Sequence, residues 1–320
     1  MFSIHKMNIT AHRLFYTEYI RSLPDSMAET AESDFFCYLQ LRNGTFKSTT
    51  SDRLTDVNNA TTSYFSTIEN PPRSFLDVAV SSGVSTDEWY ENLLKAGFKG
   101  VEMLGTDSTL HAYLIEFNKY FRVLVQNCNF PLQYDLLGIA IKANKFRRLD
   151  YINGVYIISK FLKFIYHIAS EKYQLVKLLN ENNFTNNDKC LYDIDNVRII
   201  IRKLKLISPR LIKKNNVIFS DDDLSLQNPP SLKNRFDVIR AANILNLVYF
   251  PEKTLITFLN RLKERLRGPG SFIIICRTND HGKNNATLFK LNCNYRFEVV
   301  FRVGAGSEIE DIVLSLPECS

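Results

Sequence analysis

The 320-residue chain reads as an α/β protein built on a parallel sheet. Two stretches predict this. Phe75–Trp89, FLDVAVSSGVSTDEW, is an apolar strand running through a turn of small residues into a helix. Further on, RFDVIRAANILNLVYFP gives a strand from Phe236 to Ala241, followed by a helical stretch and then SFIIIC. That last run has no polar alternation, as expected of a strand covered on both faces.

In the first stretch Asp77 lies inside the strand, and Ala79, Ser81 and Gly83 follow at alternate positions. Small residues at that spacing let backbone N–H groups approach a ligand at the positive end of a helix. Asp107 follows the apolar run VEMLGT, which reads as the end of a second strand. Together they outline a nucleotide-type pocket at the carboxyl edge of a parallel sheet. The G-x-G-x-x-G fingerprint is absent, because Ala and Ser stand where glycines are expected. An ordinary strand–turn–helix corner is the plainer reading of this segment taken alone.

In the second stretch Asn243 closes the strand, and Pro251 and Glu252 suit a helix start. Leu255, Ile256, Phe258, Leu259, Leu262 and Leu266 recur at helical spacing. Arg261, Lys263, Glu264 and Arg265 supply the polar face, and Gly268-Pro269-Gly270 ends the helix.

These segments resemble the motifs of the class I S-adenosylmethionine-dependent methyltransferases. FLDVAVSSG resembles the first motif, GTDST the acidic second, VIFSDDDL the third and FDVIRAANIL the fourth; RLKERLRGPGSFIIICRT resembles the helix-to-strand passage. The likeness covers residues 72–120 and 210–316, with Ala79 and Ser81 in place of glycines and Gly-Pro-Gly in place of Pro-Gly-Gly. It implies a Rossmann-like fold: a seven-stranded, mostly parallel sheet with an antiparallel last strand. It also implies S-adenosylmethionine as cofactor and S-adenosylhomocysteine as product.

Roles follow by position in the resemblance. The turn Ala79, Val80, Ser81 and Gly83 would face the methionine portion of the cofactor, with Asp77 orienting that turn or the amino group. Asp107, beside Ser108, would accept from the ribose hydroxyls, and Asp222 or Asp223 would meet the adenine amino group. Residues 240–243, Ala241 among them, would line the site of transfer. Read without the family, Asp107 is a helix cap and Asp221–Asp223 a solvated turn or a cap.

Methyl transfer from a sulfonium asks mainly for positioning, so no general base is legible. Asn243 is the first candidate for an acceptor-facing group, and Arg240 a candidate clamp for an acidic acceptor. Their structural alternatives are a strand-end amide and a partner for a carboxylate. RAANILNLVYF further resembles the same stretch of chemotaxis-receptor methyltransferases over about ten residues, and the acceptor stays open between a small molecule and a protein. The competing reading is a non-catalytic binding or scaffold protein that keeps the fold, motivated by Ala79 and Ser81.

Composition is that of a packed globular protein, with 45% hydrophobic and 23% charged residues. A net charge of +6 is mild for this length and, with no nucleic-acid module legible, does not argue for nucleic acid. Six scattered cysteines contain no C-x-x-C pair and the start lacks the core of a secretory signal, so a cytoplasmic protein is expected. No histidine pair or cysteine pattern implies a metal.

Residues 1–70 read as an N-terminal extension or cap, with a helix around Ala11–Leu23 and loops across the Ser/Thr/Asn-rich 43–67. Residues 71–117 and 206–320 form the expected cofactor-binding core, and 118–205 an inserted helical subdomain. TLHAYLIEFNKYF is expected to be a helix, with FRVLVQN and 132–143 as short strands or a hairpin. YINGVYIISKFLKFIYHIAS is apolar apart from Lys160, Lys163 and His167, after a basic AIKANKFRRLDY. The two lysines argue against a membrane span. A helix lying on an anionic membrane surface through residues 142–170 is one reading; a helix packed on the domain or at a dimer interface is preferred. Phe297–Val303 is expected to pair with a strand over Ile309–Leu316 at the sheet edge, and the oligomeric state stays open.

Overall fold

The computed structural model describes residues 9–47, 50–181, 189–194, 196–214 and 216–317; the ends of the N-terminal extension and of the chain lie outside these. In chain order come α1 (Ala11–Tyr16), α2 (Asp25–Tyr38), α3 (Thr55–Phe65), β1 (Ser74–Val78), α4 (Val84–Lys95) and β2 (Glu102–Asp107). Next are β3 (His111–Glu116), β4 (Phe121–Val125), β5 (Pro131–Leu136), β6 (Ile139–Lys142), α5 (Arg148–Ile152), α6 (Val155–Lys172) and α7 (Leu175–Glu181). β7 (Lys189–Ile194), β8 (Val197–Lys205), α8 (Pro209–Lys214), β9 (Ile218–Asp221), β10 (Val238–Ala242) and α9 (Glu252–Arg265) follow. The chain closes with β11 (Phe272–Thr278), β12 (Asn284–Leu291), β13 (Phe297–Val303) and α10 (Glu310–Leu314).

Two compact units divide the chain, Met1–Thr49 with Thr109–Pro209, and Thr50–Ser108 with Arg210–Ser320. The second holds a seven-stranded sheet in the order β13-β12-β11-β10-β1-β2-β9. All neighbours from β9 to β11 pair in parallel. β12 is antiparallel to β11 and β13 antiparallel to β12, so β13 runs with the parallel set. The reversed strand is therefore the penultimate one in the chain, where the sequence pointed to the last.

β1 is buried along its whole length because helices cover both faces. Leu76 and Val78 join the cluster built with Leu255, Leu259 and Leu262 of α9. Phe75 points to the other side, where its ring meets Trp89 of α4 edge-on at 5.3 Å. α3 corrects a second expectation, since the polar run TDVNNATTSYF is a helix rather than a loop. Val57, Thr61 and Phe65 are spaced four apart and buried, so packing of that stripe overrides weak propensity. Ile309–Leu316 likewise contains helix α10 and no strand, so β13 pairs with β12. Ile309, Val313 and Leu316 are the buried residues, at the helical spacing i, i+4, i+7.

The first unit is a six-stranded antiparallel sheet in the order β6-β5-β4-β3-β8-β7. TLHAYLIEFNKYF, expected to be helical, is the central strand β3 and its turn into β4. Ala112 and Leu114 pack with Leu14, Phe35 and Phe36 of α1 and α2. Tyr113 and Ile115 pack on the opposite face with Leu162 and Tyr166 of α6. A strand covered on both faces has the same apolar run as a buried helix, so periodicity alone does not separate them. The side chain of Asn118 fixes the turn by accepting from Tyr120 N at 2.8 Å and Phe121 N at 2.9 Å. The inserted stretch holds the expected short strands, as β4, β5 and β6, and the expected helix, as α6, but adds β7 and β8 to make a sheet, and the described residues up to 47 belong to the same unit. Among the described residues no helix is long and apolar enough to cross a membrane.

Candidate functional site at the carboxyl edge of the parallel sheet

From β1 the chain moves outward to β2 and then β9, and from β10 it moves the other way to β11. The strand order reverses between β1 and β10, and open α/β sheets bind ligands in the crevice outside such a switch point. The loops that follow β1, β2, β9 and β10 all open at this edge.

The loop after β1 carries the most distinctive geometry. Ala79, Ser81 and Gly83 have φ of 59°, 58° and 83°, so every second residue is left-handed while Val80 and Ser82 are not. Only glycine adopts that region freely, and an L side chain costs roughly 1–2 kcal/mol there. The turn takes the backbone that glycine favours at two positions held by Ala and Ser. Ser82 and Thr106 each also bury a hydroxyl with no hydrogen-bond partner. Strain and unmade bonds at this turn make it the candidate site.

Several contacts hold the turn. Val80 N donates to Thr106 O at 3.1 Å and Gly83 N to Val80 O at 2.9 Å. At the end of β2, Asp107 Oδ2 accepts from Ser81 N at 2.9 Å, so the acid expected to bind a ribose also clips the turn. Ser108 follows it, exposed. Beneath the turn lies a buried polar network. Asp77 and Arg240 are register partners on adjacent strands, and the guanidinium grips the carboxylate through Nε to Oδ1 at 2.9 Å and Nη2 to Oδ2 at 2.5 Å. Thr86 Oγ1 donates to Asp77 Oδ2 at 2.6 Å, which ties the pair to the first turn of α4. Arg240 further donates to Asn58 Oδ1 at 2.7 Å and Ser85 O at 2.9 Å, and its guanidinium lies 4.4 Å from the Trp89 ring centre.

These contacts correct several sequence expectations. Arg240 is fully buried and occupied by Asp77, so it does not reach an acceptor. Asp77 is buried beneath the turn and joined to it through Thr86, which fits the first of its two expected roles, orienting the turn. Ala241 is wholly buried in the core with Leu76 and Ile273. Asn243 sits at the expected place, at the end of β10 with φ 61°, but its amide is committed. Its Oδ1 accepts from Thr278 N at 2.7 Å and its Nδ2 donates to Thr278 Oγ1 at 3.3 Å, pinning β10 to β11. Asp222 is held bidentately by buried Arg265 at 2.6 and 3.0 Å, which removes its carboxylate from an adenine-binding role. Its backbone N still donates to Asp107 O, and the exposed Asp223 beside it accepts from Ser225 N at 2.8 Å.

Sequence reading missed Asn58, Thr86, Trp89 and Arg265. One signal was present: an arginine in the buried strand FDVIRAA requires a buried carboxylate, and Asp77 in FLDVAV is an acid in an equally apolar strand. The loop after β10 adds a rim of Leu247, Val248 and Tyr249, all more than half exposed. Asn246 Oδ1 holds it by accepting from Val248 N and Tyr249 N at 3.1 and 3.0 Å.

No protein-family model matches the chain, and no curated protein matches it in sequence. Among solved structures it is similar to the plantazolicin methyltransferase BpumL in complex with a monoazolic desmethylPZN analog and SAH, at 14% identity and a TM-score of 0.29. That match covers 71% of this chain and 47% of the other. The citrinin polyketide synthase CMeT domain shows 12% identity and a TM-score of 0.35 over 82% of this chain and 42% of that one. The PH0226 protein from Pyrococcus horikoshii OT3 shows 11% identity and a TM-score of 0.33 over 93% and 88%. A structure described as a putative Zn-dependent alcohol dehydrogenase from Rhodobacter sphaeroides is also similar, at 12% identity and a TM-score of 0.27 over 72% of this chain and 48% of that one. The chain thus spans about half the length of the methyltransferases to which it is similar. Likenesses this distant carry no argument, and the functional reading rests on strand order and on the turn between β1 and α4.

Proposed function

We propose that the parallel-sheet unit binds S-adenosylmethionine at the β1/β10 switch point and transfers its methyl group to a small-molecule or protein acceptor. The observation that carries this is the left-handed turn Ala79–Gly83 clipped by Asp107. A glycine-loop backbone maintained against the preferences of Ala and Ser, with an acid at the end of the neighbouring strand, fits a nucleoside carrying an amino acid. In this reading the turn Ala79–Gly83 borders the methionine portion, Asp107 holds the ribose hydroxyls, and Asp223 with the backbone of Asp222 borders the adenine. The bound sulfonium supplies the activated methyl group. Asp77 and Arg240 serve by fixing the turn, and Asn243 by fixing the ends of β10 and β11. Acceptor contact falls to the rim after β10, with Tyr249 its most prominent side chain. Positioning then supplies most of the catalysis.

Calorimetric titration with S-adenosylhomocysteine tests this directly. Micromolar binding is expected, weakened about 10- to 100-fold in Asp107→Ala, the range for losing a hydrogen bond to a charged group. A wild-type protein that takes up no ligand at millimolar concentration overturns the proposal. It would favour the scaffold reading, for which the commitment of Asn243 and Arg240 to structural bonds is the supporting observation. Gly83→Arg separates the two: an enzyme loses its function with its cofactor, while a scaffold keeps its role.

A further inference from the structure

Helix α6, in the antiparallel-sheet unit, leaves an apolar face bare. Ser159, Leu162, Tyr166 and Ser170 are buried against the unit's sheet. At 100° per residue, Ile157, Phe161, Phe164 and Ile168 fall within an arc of about 60° on the opposite side. They are 69%, 60%, 61% and 51% exposed. The preceding α5 extends the surface with Leu149 and Ile152, 70% and 74% exposed.

Basic charge predominates along this surface, with Glu171 in the last turn of α6 as the exposed acid beside it. Lys160, Lys163 and His167, all exposed, fill the flank between the apolar and the buried stripe, and exposed Arg147 and Arg148 precede Leu149. The only acid from residue 145 to 170 is Asp150, and it is occupied: it accepts from Arg147 N at 2.6 Å and Lys142 Nζ at 3.0 Å. The aromatic rings of Phe146, Tyr151 and Tyr156 pack together, and Lys160 lies 5.3 Å from the Tyr156 ring centre, which sets the basic flank beside amphipathic rings. An isologous contact with a second copy would bring these cations together with Glu171 the one exposed carboxylate on α5 and α6 to answer them. An exposed aromatic–aliphatic stripe edged by lysine and arginine instead matches an interfacial helix seated at the acyl boundary of an anionic membrane.

We propose that this face of α5 and α6 docks on an anionic lipid surface, with α6 lying in the membrane plane. The inference does not depend on the methyltransferase reading. Co-sedimentation of the full chain with vesicles of phosphatidylcholine and phosphatidylserine in equal parts, against phosphatidylcholine alone, is the test. Binding is expected to the anionic vesicles, to fall with added salt, and to be lost in Phe161→Glu/Phe164→Glu. Lys160→Gln/Lys163→Gln should weaken it about 25-fold, at about fivefold per neutralised lysine. All four positions are exposed, so unchanged circular dichroism and melting are expected, and S-adenosylhomocysteine titration of the variants is independent of the outcome. Absence of pelleting with anionic vesicles, or equal pelleting of the Phe161→Glu/Phe164→Glu variant, overturns the proposal. So does a dimer in velocity sedimentation that this variant dissociates, since a second copy would then own the face.

Discussion

The two units put their buried charges to different uses. In the parallel-sheet unit, Asp77–Arg240 and Asp222–Arg265 lie at or below the carboxyl edge and fix the loops that leave it. In the antiparallel unit, Glu116 takes Arg122 and Arg202 at 3.1 and 2.6 Å, and Arg122 reaches Asp135 at 3.3 Å, so the network staples β3, β4, β5 and β8 across the sheet. One set of charges holds loops at a sheet edge; the other ties strands of a sheet to one another. A buried ion pair is weak evidence for net stability, because desolvation offsets its attraction, but breaking one leaves an uncompensated charge. What differs is which feature each pair holds in place.

The largest effect should come from Arg240→Ala. It strands Asp77 in the core and should cost about 3–5 kcal/mol. Trp89 is the chain's only tryptophan and lies against Arg240, so urea unfolding followed by its fluorescence reports on this unit. Replacing both partners by apolar residues of similar size, Asp77→Leu/Arg240→Met, should recover part of the stability yet abolish S-adenosylhomocysteine binding, because Thr86 loses its acceptor. A cost below about 1 kcal/mol for Arg240→Ala would show that the pair is not the lock.

Next is Gly105→Ala. A Cβ at Gly105 would sit 2.7 Å from Cδ1 of Phe219, on the neighbouring strand β9, and 3.1 Å from Cγ1 of Val80 in the turn. Overpacking of this kind costs about 1–3 kcal/mol. Amide exchange should show protection lost first along β9, an edge strand held by β2 alone, while β3 and β8 in the other unit are unchanged.

These two sites also show what sequence could and could not provide. β1, β2, α9, β10 and β11 were legible because a parallel sheet buried on both faces writes apolar runs, and because small residues at alternate positions mark a turn. In the antiparallel unit β4, β5, β6 and α6 are legible too, but β3 writes the same apolar run as a buried helix, and β7 and β8 give no separate signal. Within the candidate site the turn and the place of Asp107 at the end of β2 were legible, because small residues and an acid follow apolar runs there. The roles of Arg240, Asp222 and Asn243 were not, because an acid, amide or guanidinium near a pocket has the same one-dimensional signature whether it faces a ligand or a neighbour. Only register showed that Asp77 stands beside Arg240.

A pH experiment sharpens the contrast from the antiparallel side. Burial alone would raise the Glu116 carboxyl, but hydrogen bonds from Arg202 and Arg122 outweigh it and hold the group below its ordinary value. A carboxylate depressed in the folded state contributes stability that is fully present above its unfolded pKa of about 4.3 and is lost as pH falls through the folded value. Wild-type protein should therefore lose protection in β3 and β8 on acidification through that window. Glu116→Gln should be less stable at neutral pH by about 1–3 kcal/mol and show a flatter acid limb. An unchanged acid limb in the variant would assign the acid sensitivity to another group.

The smallest effect should come from the residue that seems most out of place. Ala79→Gly removes a left-handed alanine worth roughly 1–2 kcal/mol of strain. Against that, glycine enlarges the unfolded ensemble by about 0.4–1 kcal/mol, and the lost methyl is partly buried against the α9-side core, where a methylene is worth up to about 0.8 kcal/mol. The sum lies near zero, so stability should move by less than about 0.5 kcal/mol and S-adenosylhomocysteine affinity by no more than about twofold. A near-silent substitution here is informative because it says what holds the turn. If Asp107, the Val80–Thr106 bond and Thr86 set the backbone, the side chain at 79 has nothing left to decide. A tenfold loss of affinity would instead mean that the alanine stiffens the turn for its ligand, and that the departure from glycine is part of how this site works.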